Sequence, residues 1–293
     1  MLGEFALIDK FRKMGLYDSG VVVGSGDDCA VLKFNRKFYQ LYTCDMIVEG
    51  VDFTSKDKPE LIGRKALAVS LSDIAACGGV PRYAVVSMGL PSKYLGKAQK
   101  IAKGLFKLAK AYKVNIVGGD LSRSDRLTID VSVLGVVEKN KLVLRSGAKP
   151  GDIIFITGFL GRSILGKHLK FTPRIKEARF LVHNFKISSM IDISDGLAQD
   201  LGHILKASNA GARIYKKSLP VSAQARKIED ALYGGEEFEL LFTLPRSQCR
   251  KLAFKKNSLF KPIGEIVNKR RGLRLVDGKN REIKLALKGW RHF

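Results

Sequence analysis

At 293 residues, with 45% apolar and 27% charged side chains, the chain has the composition of a soluble globular protein with one large or two medium cores. No apolar run reaches the ~18 residues of a membrane span, and residues 1–18 mix charged with apolar positions where a secretory leader would be uninterrupted, so a cytoplasmic protein is expected. The net charge of +24, from 52 basic against 28 acidic residues, favours anionic partners; a Lys-rich soluble surface explains the same number, because the basic residues are spread along the chain.

In chain order, Glu4–Met14 has helical apolar spacing at Phe5, Leu7, Ile8 and Phe11. Val21-Val22-Val23 leads into a glycine-flanked turn that carries Asp27 and Asp28. Residues 30–34 and 38–43 read as two strands, the second delivering Thr43-Cys44-Asp45. Residues 61–77 read as a buried helix ended by Gly78-Gly79, with Asp73 as a carboxylate on an otherwise apolar element. Burying that carboxylate is costly without a partner, so Asp73 predicts either a cation or a backbone group to cap.

Residues 83–90 form a predicted strand and residues 97–112 an amphipathic helix. A short strand over 115–117 delivers Gly118-Gly119-Asp120, and 127–137 alternates as a half-buried strand. The turn-rich segment 145–152 is the predicted hinge, giving domains 1–144 and 145–293. Beyond it come a strand over 153–157, a glycine loop over 158–161, and a strand over 190–194 that runs into a helix from Asp195. Asp195 suits a helix cap, whereas Asp192 on the preceding strand does not. Gly234-Gly235-Glu236 precedes a strand over 240–244, then a helix over 247–254 and strands over 262–267 and 273–276. The one tryptophan is Trp290.

Asp28, Asp45, Asp120, Asp192 and Asp195 thus recur at strand ends and glycine turns and, with Asp73 on its helix, offer oxygen-donor chemistry suited to Mg²⁺. Four unclustered histidines argue against zinc and against a Ser-His-Asp triad. The four cysteines form no C-x-x-C pair and read as reduced apolar residues. Acids, Mg²⁺ and basic residues such as Arg145 for phosphate point to phosphoryl transfer, with neither a Walker A loop nor a protein-kinase signature.

The ordered set Gly26-Asp27-Asp28-Cys29-Ala30, Cys44-Asp45 to Glu49-Gly50-Val51, Leu71-Ser72-Asp73-Ile74-Ala75-Ala76 with Pro81, and Gly118-Gly119-Asp120 resembles the thiamine-monophosphate kinases. Residues 145–152, Asp192 to Leu197, Leu219-Pro220, Gly234-Gly235-Glu236 and Gly289-Trp290 continue the resemblance across nearly the whole chain. It implies an α+β fold: an N-terminal mixed sheet that pairs across a homodimer and binds ATP and Mg²⁺, and a C-terminal α/β domain covering the substrate. It implies ATP-dependent phosphorylation of thiamine monophosphate to thiamine diphosphate by direct in-line transfer without a general base. By position, Asp28, Thr43, Cys44, Asp45, Asp73, Asp120, Asp192 and Asp195 would hold metal, Thr43 and Cys44 through backbone oxygen. Gly119, Asp120, Arg145 and Ser194 would contact ATP, and Asp52, Glu236 and Trp290 the substrate. The chain departs from the family pattern at Asp52, where a histidine is usual, and at Glu237-Phe238, where Asp-Tyr is common. The alternatives are another ATP-dependent enzyme of the same superfamily and, in a different class, a basic nucleic-acid-binding protein, for which no binding motif is present.

Overall fold

A computed structural model describes residues 3–253 and 259–292. The predicted helix end at Phe254 and the terminal Phe293 lie outside the described residues, as does the side chain of Phe5. The first half runs α1 (Glu4–Met14), β1 (Val21–Val23), β2 (Ala30–Lys33), β3 (Phe38–Val48), α2 (Pro59–Ala76), β4 (Val80–Leu90), α3 (Ala98–Tyr112), β5 (Asn115–Arg123) and β6 (Thr128–Glu138). The second runs β7 (Asp152–Thr157), α4 (Lys167–Lys170), α5 (Ile175–Asn184), β8 (Ser189–Asp192), α6 (Leu197–Ser208), β9 (Ala210–Tyr215), α7 (Ile228–Tyr233), β10 (Leu240–Pro245), α8 (Arg246–Ala253), β11 (Phe260–Asn268), β12 (Leu273–Val276) and β13 (Glu282–Lys284). The strands form a six-stranded sheet, β1-β2-β3-β6-β4-β5, and a seven-stranded sheet, β13-β12-β9-β11-β7-β10-β8. Both are mixed, since β4–β5 and β9–β12 pair in parallel. The fold is α+β, as expected.

Period-2 alternation builds the first sheet. Ile129, Val131, Val133 and Val137 of β6 are fully buried, on the same face as Leu41, Ile47 and Ala84. Each such side chain contributes roughly 1.5–3 kcal/mol by leaving water. α2 packs on this face and is buried nearly all round, which matches its lack of a polar stripe. It meets α3 at Gly63 and Gly104, where a Cβ would run into the backbone carbonyls of Ile101 and Glu60, so only glycine allows the approach. On the opposite face Tyr42, Met46, Tyr83 and Val85 remain between 41% and 57% exposed.

The second sheet is covered on both faces. Ile154, Ile156 and Leu241 pack with Leu197, Leu201 and Ile204 of α6. Phe155 and Phe242 point the other way, into a core shared with α2, α5 and the first half. No described helix is long and apolar enough to cross a membrane.

The observed elements differ from expectation in several places, four of which bear on the site or its surroundings. β3 continues five residues past 43, because Cys44 to Val48 pair with Ser132 to Thr128 of β6. β5 does not stop at Gly118; Gly119 stays in the ladder, where a Cβ would strike the Val86 carbonyl. Asn209 ends α6 in the left-handed region and Ala210 begins β9 at once, a strand over residues the sequence reading left unassigned. The unassigned stretch after Ser163 holds α4 and α5.

Candidate active site

Four chain segments converge at the junction of the two sheets. The turn after β1 supplies Asp28, β3 supplies Thr43 and Asp45, the middle of α2 supplies Ser72 and Asp73, and the end of β8 supplies Asp192. Carboxylate oxygens of Asp28, Asp73 and Asp192 lie within 4.8 Å of one another. Asp73 accepts a hydrogen bond from the Thr43 hydroxyl, and Asp192 accepts one from Ser72 Oγ at 2.5 Å. Arg145 donates to Asp28 from Nε at 3.3 Å and from Nη2 at 2.9 Å, and its backbone N–H reaches Asp27 at 3.1 Å. Asp45 Oδ2 is buried with no hydrogen-bond partner among the described residues.

So many carboxylates in one buried place resist ionisation. Burial, then the neighbouring Asp28 charge, pushes Asp192 up to about 8. Asp27 is pushed up to about 7 for the same two reasons, and Asp45 to about 6 chiefly by burial. Asp73 is held well above the ordinary carboxylate range by burial and by Asp45 and Asp192. Several hard oxygen donors, mutual repulsion and one orphaned buried oxygen are the features a hard divalent cation satisfies, so the donor set fits Mg²⁺.

A cleft of about 490 Å³ opens beside the cluster, lined by Asp45, Val69, Ser194, Asp195, Glu236 and Trp290 among others. Asp195 does not cap α6. Gly196 is the N-cap and no side chain caps α6; Asp200, inside the helix, accepts the N–H groups of Asp195 and Gly196 at 3.1 and 2.9 Å, and the Asp195 carboxylate is left to the cleft. That carboxyl is pushed up to about 6, first by burial and then by Glu4 of α1. Trp290 is half-exposed at the cleft, its backbone N–H donating to the Asp195 carbonyl at 2.8 Å. The main chain of Ser194 accepts the Glu236 N–H at 2.6 Å.

Four predicted positions stand differently. Asp52 lines the cleft, but its carboxylate turns back to accept the Val48 N–H at 2.7 Å. Strand alternation sends Cys44 to the face opposite Asp45, where Sγ lies 3.2 Å from Asp130. Gly119 and Asp120 sit on the exposed edge strand β5, lining a separate apolar groove with Val86, Met88, Leu105 and Phe106.

Residues 26–137 match the AIR synthase related protein N-terminal domain, and 129–276 match the corresponding C-terminal domain. The thiamine-monophosphate kinase of Bacillus subtilis is 34% identical, with 100% of both chains covered. That of Escherichia coli K12 is 35% identical over 99% of this chain and 98% of its own. The chain belongs to the thiamine-monophosphate kinase family. The structure of AaThiL complexed with AMPPCP and TMP superposes with a TM-score of 0.86 at 30% identity, over 100% of this chain and 97% of that one.

Lys65 is a residue of this kinase-family site that sequence reasoning passed over. It is fully buried on α2, pairs with the Glu236 carboxylate and donates to the Asp52 carbonyl at 2.6 Å. Its signal was the same as that of Asp73: a charge on an apolar helix. Ser163 was also passed over; its Oγ donates to the Glu236 carbonyl at 2.7 Å.

Proposed function

We propose that the chain transfers the γ-phosphoryl group of ATP to thiamine monophosphate, forming thiamine diphosphate and ADP. The observation that carries this reading is the carboxylate cluster of Asp28, Asp73 and Asp192, with the orphaned Asp45 oxygen, at the foot of a cleft that also holds Glu236 and Trp290. Asp28, Asp45, Asp73, Asp192 and Asp195 would hold Mg²⁺, with the Thr43 side chain and the Cys44 main chain beside them. Bound there, Mg²⁺ would screen the repulsion between the ATP tail and the acceptor.

The acceptor phosphate monoester is largely a dianion at neutral pH, because its second pKa is near 6. It needs no general base, which suits a cleft built from carboxylates and apolar walls. Glu236 would face the cationic thiazolium, and Trp290 would stack on it. Asp52 would serve as wall rather than ligand, since its carboxylate is already engaged by Val48. Arg145 and Ser194 would contact the ATP phosphates. Gly119 and Asp120, assigned to ATP and metal, lie outside the main cleft of their own chain, which supports a homodimer as the functional unit. The uncovered face carrying Tyr42, Met46, Tyr83 and Val85 is the surface that pairing would bury. Residues 1–144 would then form the nucleotide, metal and dimer domain and residues 145–293 the substrate-covering domain. Four free cysteines suit a reducing, cytoplasmic compartment.

The test is acceptor dependence. With Mg²⁺ and ATP, ADP release should depend on added thiamine monophosphate, and γ-labelled ATP alone should leave the protein unlabelled. A labelled aspartate or serine that passes its phosphate to the acceptor at a competent rate contradicts direct transfer.

A further inference from the structure

Glu236 sits in an unusual local frame. Its backbone is in the left-handed region at φ 59, a costly conformation for a non-glycine residue. The main chain is held there from two sides, by its N–H on the Ser194 carbonyl and by Ser163 Oγ on its own carbonyl. Those bonds fix the backbone and leave the long side chain free to rotate. What holds the carboxylate is Lys65, reaching from α2 in the first half to a glutamate of the second. The same ammonium holds the 48–53 turn through the Asp52 carbonyl.

The Lys65 side chain has no solvent exposure, while the Glu236 side chain keeps 22%. A buried ammonium is tolerated only with a counter-charge, so the pair is interlocked across the two halves. The carboxylate is thereby tied on its buried side and presented to the cleft on its other side.

We propose that Lys65 is a positioning residue that fixes the Glu236 carboxylate for the cationic ring of the substrate. This rests on the thiamine-monophosphate reading of the cleft. Lys65 touches neither ATP nor the transferred group in this assignment. Its loss acts on acceptor binding and leaves nucleotide binding alone.

Trp290 is the single tryptophan and lines the same cleft, so its fluorescence reports acceptor binding without turnover. The experiment titrates thiamine monophosphate into wild type, Lys65→Met, Glu236→Gln and the double variant, with ATP affinity measured in parallel by calorimetry. Each single variant should bind thiamine monophosphate about tenfold or more weakly, with ATP affinity within about twofold of wild type. The double variant should bind no more weakly than the worse single, because the second change removes a partner already lost. Losses that multiply in the double variant, or an equal loss of ATP affinity, overturn the proposal. If Lys65→Met does not fold, Lys65→Gln, which keeps a donor in the buried site, replaces it; failure of both to fold assigns Lys65 to core stability and also overturns it. A wild type that binds thiamine monophosphate but shows multiplying losses sinks this proposal alone, whereas a wild type that does not bind it sinks the functional reading as well.

Discussion

Asp73 shows most clearly what a single residue does here. It is a carboxylate in the middle of a buried helix, bonded by Thr43 and crowded by Asp28 and Asp192. Without a cation its charge is a net cost, so Asp73→Asn should raise the melting temperature of metal-free protein by about 2 °C. The same substitution should abolish the stabilisation that Mg²⁺ gives wild type, since only a cation-binding folded state gains from added metal. Thermal melts with and without Mg²⁺ read both effects; a metal-free melting temperature that falls by several degrees would contradict the repulsion argument. Asp73 was legible in the sequence because a charge on an apolar helix demands a partner. Lys65 made the same demand eight residues earlier, but its partner, Glu236, is 171 positions away, and no local pattern names it.

At the scale of elements, α2 is the member that both halves share. One face lies on the first sheet, and its C-terminal end meets α5. There Arg179 of α5 grips Glu138 at the end of β6 through two bonds of 2.7 and 2.8 Å and also donates to the Gly78 carbonyl. The guanidinium holds the Glu138 carboxyl down at about 2. A carboxyl depressed in this way stabilises the fold above the ordinary carboxylate range, and its contribution is lost as pH falls from about 4.5 towards 2. Arg179→Ala should therefore cost about 1–2 kcal/mol near neutral pH, and the gap to wild type should narrow between about pH 5 and pH 3. Denaturant melts across that range measure it; a gap that widens on acidification contradicts the assignment. Helix α2 and the alternating β6 were readable from periodicity alone. β5 and the far end of β3 were not, because glycines and acids that read locally as terminators are held in strand by their neighbours β4 and β6.

At the scale of the molecule, an exposed apolar sheet face and an edge strand bearing Asp120 are unusual for a monomer. The homodimer reading predicts roughly twice the chain mass in sedimentation. Val85→Lys, placed on that face at 41% exposure, should shift the protein towards monomer and lower activity at low protein concentration. A monomeric and fully active wild type would refute it. The ordered run of acid-bearing segments made the site visible from the sequence at this scale, because Asp28 and Asp192 sit at turns or strand ends and Asp73 is a lone charge on an apolar helix. Which donors meet within one chain was not visible: Asp28, Asp73 and Asp192 are brought together by packing of distant elements, while Asp120 is carried to another surface.

The most direct measurement is product identification by mass spectrometry after purified protein is given ATP, Mg²⁺ and thiamine monophosphate, alongside Asp45→Asn. Thiamine diphosphate from wild type, reduced about a thousandfold or more in Asp45→Asn with the fold intact, is the predicted result. Undiminished product from Asp45→Asn would contradict the carboxylate cluster as the seat of the reaction, and no thiamine diphosphate from wild type would contradict the substrate.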